Sequence, residues 1–219
     1  MKKIKNLSER EIFKIREQLA YGICDNHGGK MTGMSSFSTS CRCNKYCLTR
    51  MKNGNSICSH CFSFRQTARQ RNLEKKLEKN TDVITKEIYP VEAMPMVLKQ
   101  IFRLESFGDL SNATQLINYF QMCKANPFTT FALWTKNTWI LKEVRELGFE
   151  KPDNIIIIQS SVIINVPEKK KDIWVDKVFT VYDKTHNGEA FINCGNKECA
   201  KCQLCYHKNT TDEINELVK

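Results

Sequence analysis

Apolar and polar residues recur along this chain in two periods, and the switches between them mark its elements. LSEREIFKIREQLAYG repeats apolar positions every three to four residues behind Ser8 and Glu11, a capping box, and predicts an amphipathic helix. A glycine-containing turn from Asn26 to Lys30 follows, and MSSFSTS then alternates briefly as a strand. From Phe62 to Asn80 the period is helical again, with Leu73 and Leu77 on one face. QIFRLES predicts a strand, Ser111 the cap of a helix reaching about Ala125, and Asn126-Pro127 its end. FTTFALWT predicts another strand, and Asn137 caps a helix that ends near Gly148. Lys151-Pro152 introduces NIIIIQSS, whose unbroken apolar run suits a strand covered on both faces. After the basic loop PEKKKD, DKVFTVYD is the last strand expected.

Strands alternating with helices imply parallel pairing through right-handed crossovers. The expected fold is therefore α/β, with about five strands. That is too few for a closed eight-stranded barrel, which leaves a partial (β/α) barrel or an open parallel sheet. The chain divides into an N-terminal helical extension (1–30), an α/β core (31–193) that holds a first cysteine group at 41–61, and a C-terminal cysteine-rich, metal-binding tail (194–219). Loops that follow parallel strands collect at one edge, where ligands bind. Both cysteine groups follow predicted strands, so both are expected on that edge, together with Arg103, Glu105, Asp109 and Lys136.

Composition narrows this picture little. The chain has 219 residues, 41% hydrophobic and 26% charged, a globular mixture rather than a disordered one. Its net charge of +10 attracts polyanions. Arg65, Arg69, Arg71, Lys75, Lys76 and Lys79 on the helical segment 62–79, with Lys169 to Lys171 in the loop 168–172, form a candidate nucleic-acid surface. A solvated basic face explains the same charges. The longest aliphatic run, residues 155–158, is far too short to span a bilayer, and no apolar segment follows Met1-Lys2-Lys3. The expectation is a soluble, cytoplasmic protein without a membrane partner.

Eleven cysteines in a reducing compartment argue against disulfides, and their odd number argues the same way. Their spacing points to metal. Cys194, Cys199, Cys202 and Cys205 follow as C-x4-C-x2-C-x2-C, and two successive C-x2-C steps suit the tight loops that wrap an iron–sulfur cluster. Zinc more often takes two separated knuckles. Cys41, Cys43, Cys47, Cys58 and Cys61 form the first group, and lysine, arginine, asparagine and serine separate them rather than core residues. Five thiols exceed the four that one cluster needs. Isolated Cys24 and Cys123 read as small buried hydrophobes. The cofactors expected are thus iron–sulfur clusters of the 4Fe–4S type, with zinc as the alternative.

Arg103, Glu105, Asp109 and Lys136 are candidates for orienting a substrate or cofactor, and ion pairing at the strand edge is the plainer account of the first three. Gly108 suits a tight turn of positive φ. No phosphate-binding glycine loop, nucleophile elbow or H-E-x-x-H pair is present.

Two resemblances add to this reading. The C-x3-C step and the C-x-x-C step, with His60 in an aromatic's usual place, resemble a stretched form of the three-cysteine loop of radical S-adenosylmethionine enzymes. That resemblance implies a cluster with one open iron for S-adenosylmethionine. Cys58, Cys61 and Phe62, then Phe102, Arg103, Gly108 and Asp109, then Trp134, Thr135 and Lys136, and the terminal cysteines together resemble the phage gene-product-88 family over about residues 30–207. It implies a phage or mobile-element protein of this fold with cysteine sites, and supplies no reaction. Where many members carry His-Asp-Ser before Gly-Asp, this chain has Glu105, Ser106 and Phe107, so no histidine role carries over.

Two functions remain open: an iron–sulfur α/β protein acting as a redox or radical-S-adenosylmethionine-like enzyme, and a zinc-stabilised nucleic-acid-binding protein without catalysis.

Overall fold

A computed structural model describes residues 3–186, 190–195 and 197–218. One open sheet of seven strands organises them, in the order β1 (Cys24–Asp25), β2 (Ser35–Phe37), β3 (Ile101–Leu104), β4 (Thr130–Thr135), β5 (Ile155–Ser160), β6 (Lys177–Tyr182) and β7 (Glu213–Leu217). β1 runs antiparallel to β2, and every later neighbour is parallel. The expected α/β class and open, mostly parallel sheet are present. Two strands exceed the expected five, since β1 is only two residues long and EINEL in β7 carries charges that mask its alternation.

Spatial order follows chain order throughout, so the winding never reverses and the major crossovers share one side of the sheet. That side carries α1 (Glu9–Gly22), α4 (Arg71–Lys86), α5 (Ala113–Ala125) and α6 (Trp139–Glu146). Leu19, Ile84, Leu116, Phe120, Leu141 and Val144 from these helices pack on Phe102, Leu104, Phe131, Leu133, Ile155 and Ile157 in one core. Side chains of the other parity, Ala132, Trp134, Ile156, Ile158 and Ile214, form a second, smaller apolar layer on the opposite face. No crossover helix covers it. The C-terminal cysteine segment does, through Cys194, Cys199, Leu204, Cys205 and Tyr206.

Local chemistry explains the helix ends. Ser8 caps α1 in the expected box with Glu11. Asn112, rather than Ser111, caps α5: its side chain accepts the Gln115 N–H at 2.9 Å, while Ser111 donates to Gln115 Oε1. Asn137 does not cap α6; its amide donates to the Leu110 carbonyl at 3.1 Å. Gly148, at φ +83°, closes that helix. The single helix expected over 62–80 is two, α3 (Phe62–Arg69) and α4, broken where Gln70 leaves helical geometry at φ −119°, ψ 82°. Among the described residues no helix is long and apolar enough to cross a membrane.

Candidate metal centres

The first cysteine group occupies the long connection from β2 to β3. A short helix, α2 (Lys45–Met51), follows Asn44, whose side-chain oxygen accepts the Tyr46 and Cys47 N–H groups. The Asn44 amide also donates to the Asp109 carbonyl at 2.8 Å, tying this loop to the end of β3. Ile57 N–H to the Val162 carbonyl, at 2.8 Å, holds the loop's far side beyond β5. Four thiols gather within this frame. The Cys41 thiol donates to Cys61, which favours the Cys61 thiolate, as do the Phe64 and Ser63 N–H groups; the same bond and burial push Cys41 up. Cys47 feels Cys58 and Cys61, and burial followed by the Asp109 charge pushes it well up. Cys43, by contrast, is exposed. Of the five candidates, Cys41 is buried, Cys47, Cys58 and Cys61 are partly buried, and Cys43 is the exposed one.

The second set is not on that edge. The expectation that both groups share the rim fails, because the chain after β6 folds back across the uncovered sheet face. Cys199 to Cys202 form one helical turn, α7, which Gln203 ends at φ +50°. Cys194, Cys199, Cys202 and Cys205 all line one cavity of about 480 Å³, with Lys30 and Tyr206 in its wall. Asn193 and Cys194 bond to the Asn215 carbonyl of β7, closing the cavity's side. Burial, with Glu216 adding to it, pushes the Cys194 thiol up to about 11, and burial pushes Cys205 up to about 12 against the opposing charge of Arg103.

Cations surround this second set. Lys30 pairs with Glu216 and its charge reaches Cys194 and Cys199. Lys177 is wholly buried on the same face and holds the following turn through Thr210 Oγ1 at 3.0 Å. Arg103 lies over the Trp134 ring, its guanidinium carbon 3.8 Å from the ring centre, and its charge reaches Cys199 and Cys205. Two donors here have no acceptor: Arg103 Nε and the Tyr206 hydroxyl are both buried and unpartnered among the described residues.

The four residues expected to orient a ligand are thereby divided. Arg103 belongs to the sheet face. Glu105, Asp109 and Lys136 stand at the rim beside the first set. Glu105 is fully enclosed: Thr39 N–H at 3.2 Å, Thr39 hydroxyl at 3.0 Å, Gln115 amide at 2.7 Å and the Tyr119 hydroxyl all donate to its carboxylate. Burial pushes it up to about 7 against those bonds. Asp109 accepts from Thr135 at 2.5 Å, from Lys136 N–H at 3.0 Å and from Leu110 N–H at 2.7 Å, and burial raises its carboxyl too. Lys136 donates to Ser160 at 3.0 Å and is half-buried. Glu105 and Asp109 therefore brace the loop rather than present oxygen to a ligand. Gly108 is not a positive-φ turn; a Cβ there would meet the Thr39 carbonyl at 2.6 Å and Glu105 Oε2 at 2.6 Å, so glycine is needed for close approach.

Arg65, Arg69, Arg71, Lys75 and Lys79 are exposed, and none enters an ion pair among the described residues. Lys76 instead donates to the Ile23 carbonyl at 2.8 Å. In the loop 168–172, Lys170 pairs with Asp212 and Lys171 with Glu168.

Sequence reasoning missed Lys30, Lys177 and Tyr206. Tyr206 follows Cys205 directly and was legible as part of the motif, whereas Lys30 reaches the tail only through folding. Among the described residues no three His, Cys, Asp or Glu side chains are arranged to hold a single metal ion. No family model, curated protein or solved structure matches this chain.

Proposed function

We propose that the chain is an iron–sulfur protein with two cluster sites, one held by Cys41, Cys47, Cys58 and Cys61 and one by Cys194, Cys199, Cys202 and Cys205. The observation that carries the reading is the cavity of about 480 Å³ bounded by all four thiols of the second set. Around one zinc ion, sulfurs at about 2.3 Å crowd against each other, whereas a cuboidal cluster keeps its cysteines apart and fills a larger space. Each set contains four cysteines, the number a 4Fe–4S cluster takes. That supports redox work more than an S-adenosylmethionine site, which needs an iron without a cysteine. The unreversed winding supports a partial (β/α) barrel, and the resemblance to gene-product-88 proteins supports a phage or mobile-element origin and a reducing cytoplasm.

Anaerobic purification tests this. The proposal expects a brown protein with about eight irons and eight acid-labile sulfides per chain. A colourless, folded protein with stoichiometric zinc sinks it. The exposed, unpaired arginines of α3 and α4 favour a second reading, a zinc-stabilised nucleic-acid binder. That reading expects affinity for duplex or single-stranded nucleic acid that falls steeply with salt and drops in the Arg65, Arg69 and Arg71 alanine variants.

A further inference from the structure

We propose that the Tyr206 hydroxyl donates a hydrogen bond to sulfur of the cluster held by the C-terminal cysteines, as a positioning residue just outside the ligand set. This rests on the reading of Cys194, Cys199, Cys202 and Cys205 as a cluster site. It goes beyond that reading by giving a role to a residue that is not a ligand.

Tyr206 follows Cys205 directly, and one backbone turn sets both. Gln203, at φ +50°, ends the helical turn that carries Cys199 and Cys202. The Tyr206 N–H then bonds back to the Gln203 carbonyl at 2.8 Å. That turn brings Cys205 and Tyr206 into the wall of the cavity that the other three cysteines also line. From the far side Trp134 fixes the tyrosine ring, at 6.2 Å between centres and a 60° tilt. Tyr206 is 3% exposed, and its hydroxyl is buried with no hydrogen-bond partner among the described residues. A buried tyrosine hydroxyl usually finds a partner, and an orphan calls for an explanation. Of its ionisable neighbours, Arg103 has donors only, which leaves the sulfurs of Cys199 and Cys205. A protonated thiol accepts weakly. A metal-bound thiolate or a cluster sulfide carries negative charge and accepts well.

The surrounding charge suits the same occupant. Lys177 is wholly buried on this sheet face, and its ammonium meets neutral oxygens, Thr210 Oγ1 at 3.0 Å and the Thr211 carbonyl at 2.5 Å. The Thr210 hydroxyl in turn donates to the Leu204 carbonyl at 3.0 Å, which sets that ammonium beside the Cys205 turn. The carboxylates that act on Lys177, Asp176 and Asp212, pair with Lys151 and Lys170. Arg103, over Trp134, turns Nη1 toward the Met31 sulfur at 3.8 Å. Glu216, which acts on Cys194, is held by Lys30. Buried cations without counter-ions are costly. Four thiolates outweigh the positive charge of a cluster core, so a loaded site is an anion that offsets them.

Anaerobic holoprotein reduced with dithionite tests the proposal; one electron enters the cluster and no bond forms or breaks. The signal of this centre is the one that Cys202→Ala loses. Electron–nuclear double resonance of that signal in H2O and in D2O reads exchangeable protons near sulfur, and redox titration reads its potential. Hydrogen bonds to sulfur favour the reduced form. Tyr206→Phe keeps the ring on Trp134 and removes only the hydroxyl. At wild-type iron content it should lose one exchangeable proton coupling and lower the potential of this centre. A Tyr206→Phe protein with coupling and potential unchanged overturns the inference and leaves the cluster in place. So does a wild-type spectrum identical in H2O and D2O, which needs no variant. A holoprotein without iron and sulfide, or one whose signals all survive Cys202→Ala, overturns the reading of these cysteines, and the inference with it.

Discussion

Arg103 and Glu105 lie two residues apart at the end of β3, yet their side chains occupy opposite faces of the sheet. Residues i and i+2 of a regular strand share a face. Arg103 keeps its face, stacking on Trp134 beneath the second cysteine set. Glu105 adopts φ +58°, leaves the pleat, and turns its carboxylate onto Gln115 and Tyr119 of α5. One left-handed residue thus turns a carboxyl group away from the face on which Arg103 meets the second cysteine set. Such a conformation costs about 1 kcal/mol or more outside glycine, and the donors around the carboxylate hold it there.

That carboxylate predicts a pH dependence. Its folded value, about 7, stands above the ordinary 4.5, so the folded state binds this proton more tightly than the unfolded state. Its contribution to stability is full below about pH 4.5, declines as pH rises toward about 7, and is flat beyond. The gap sets a ceiling of roughly 3 kcal/mol. Glu105→Gln should lose this slope: in urea unfolding the wild type's margin over the variant shrinks between about pH 4.5 and about pH 7. Parallel profiles for the two proteins count against it.

Gly108 packs on the same carboxylate. Gly108→Ala places a methyl against the Thr39 carbonyl and Glu105, both at 2.6 Å, with backbone on one side that cannot swing away. A loss of about 1–3 kcal/mol is expected, read as a lowered melting temperature. An unchanged melting curve shows that the β3 turn relaxes freely.

Within the first group, Cys43 and Cys47 separate a bystander from a ligand. Cys43 is exposed, whereas Cys47 lies among Cys58 and Cys61. Cys43→Ala should keep the wild-type metal content, and Cys47→Ala should lose about half of it together with stability, since binding energy at such a site is folding energy. Equal metal loss in both variants would break the assignment of the first set.

Metal retention should fall as pH falls. Ligation requires thiolate, and burial pushes Cys194 to about 11 and Cys205 to about 12, so protons compete strongly for these sulfurs. Anaerobic dialysis against a chelator should strip more metal at about pH 6 than at about pH 8. Retention independent of pH in that range would place the metal on other residues.

Much of the candidate chemistry was readable because it is local. The steps from Cys194 to Cys205 and from Cys58 to Cys61 are short, so any compact loop brings those thiols together. Asp109 and Lys136 sit where strand ends deliver them, at the expected rim. Which of Cys41 and Cys43 turns outward was not readable, since a C-x-C step leaves it open; in the fold Cys41 is buried and Cys43 exposed. The broken helix at Gln70 was hidden for a similar reason: its residues have helical periodicity on both sides, and Arg42 clips α3 separately through Phe64 and Thr67.

By itself the sequence determined the alternation of strands and helices, the parallel sheet that follows from it, and the two clusters of thiols, because periodicity, capping and short spacings act within a few residues. Tertiary structure alone decided that the C-terminal thiols lie on the sheet's uncovered face. The crossover helices all occupy the other side, which leaves Trp134, Ile156 and Ile158 to be buried by something, and the chain after β6 is the segment free to cover them. That long-range apolar burial, set by the winding of the whole sheet, is what brings Arg103, Lys30 and Tyr206 to the cysteines.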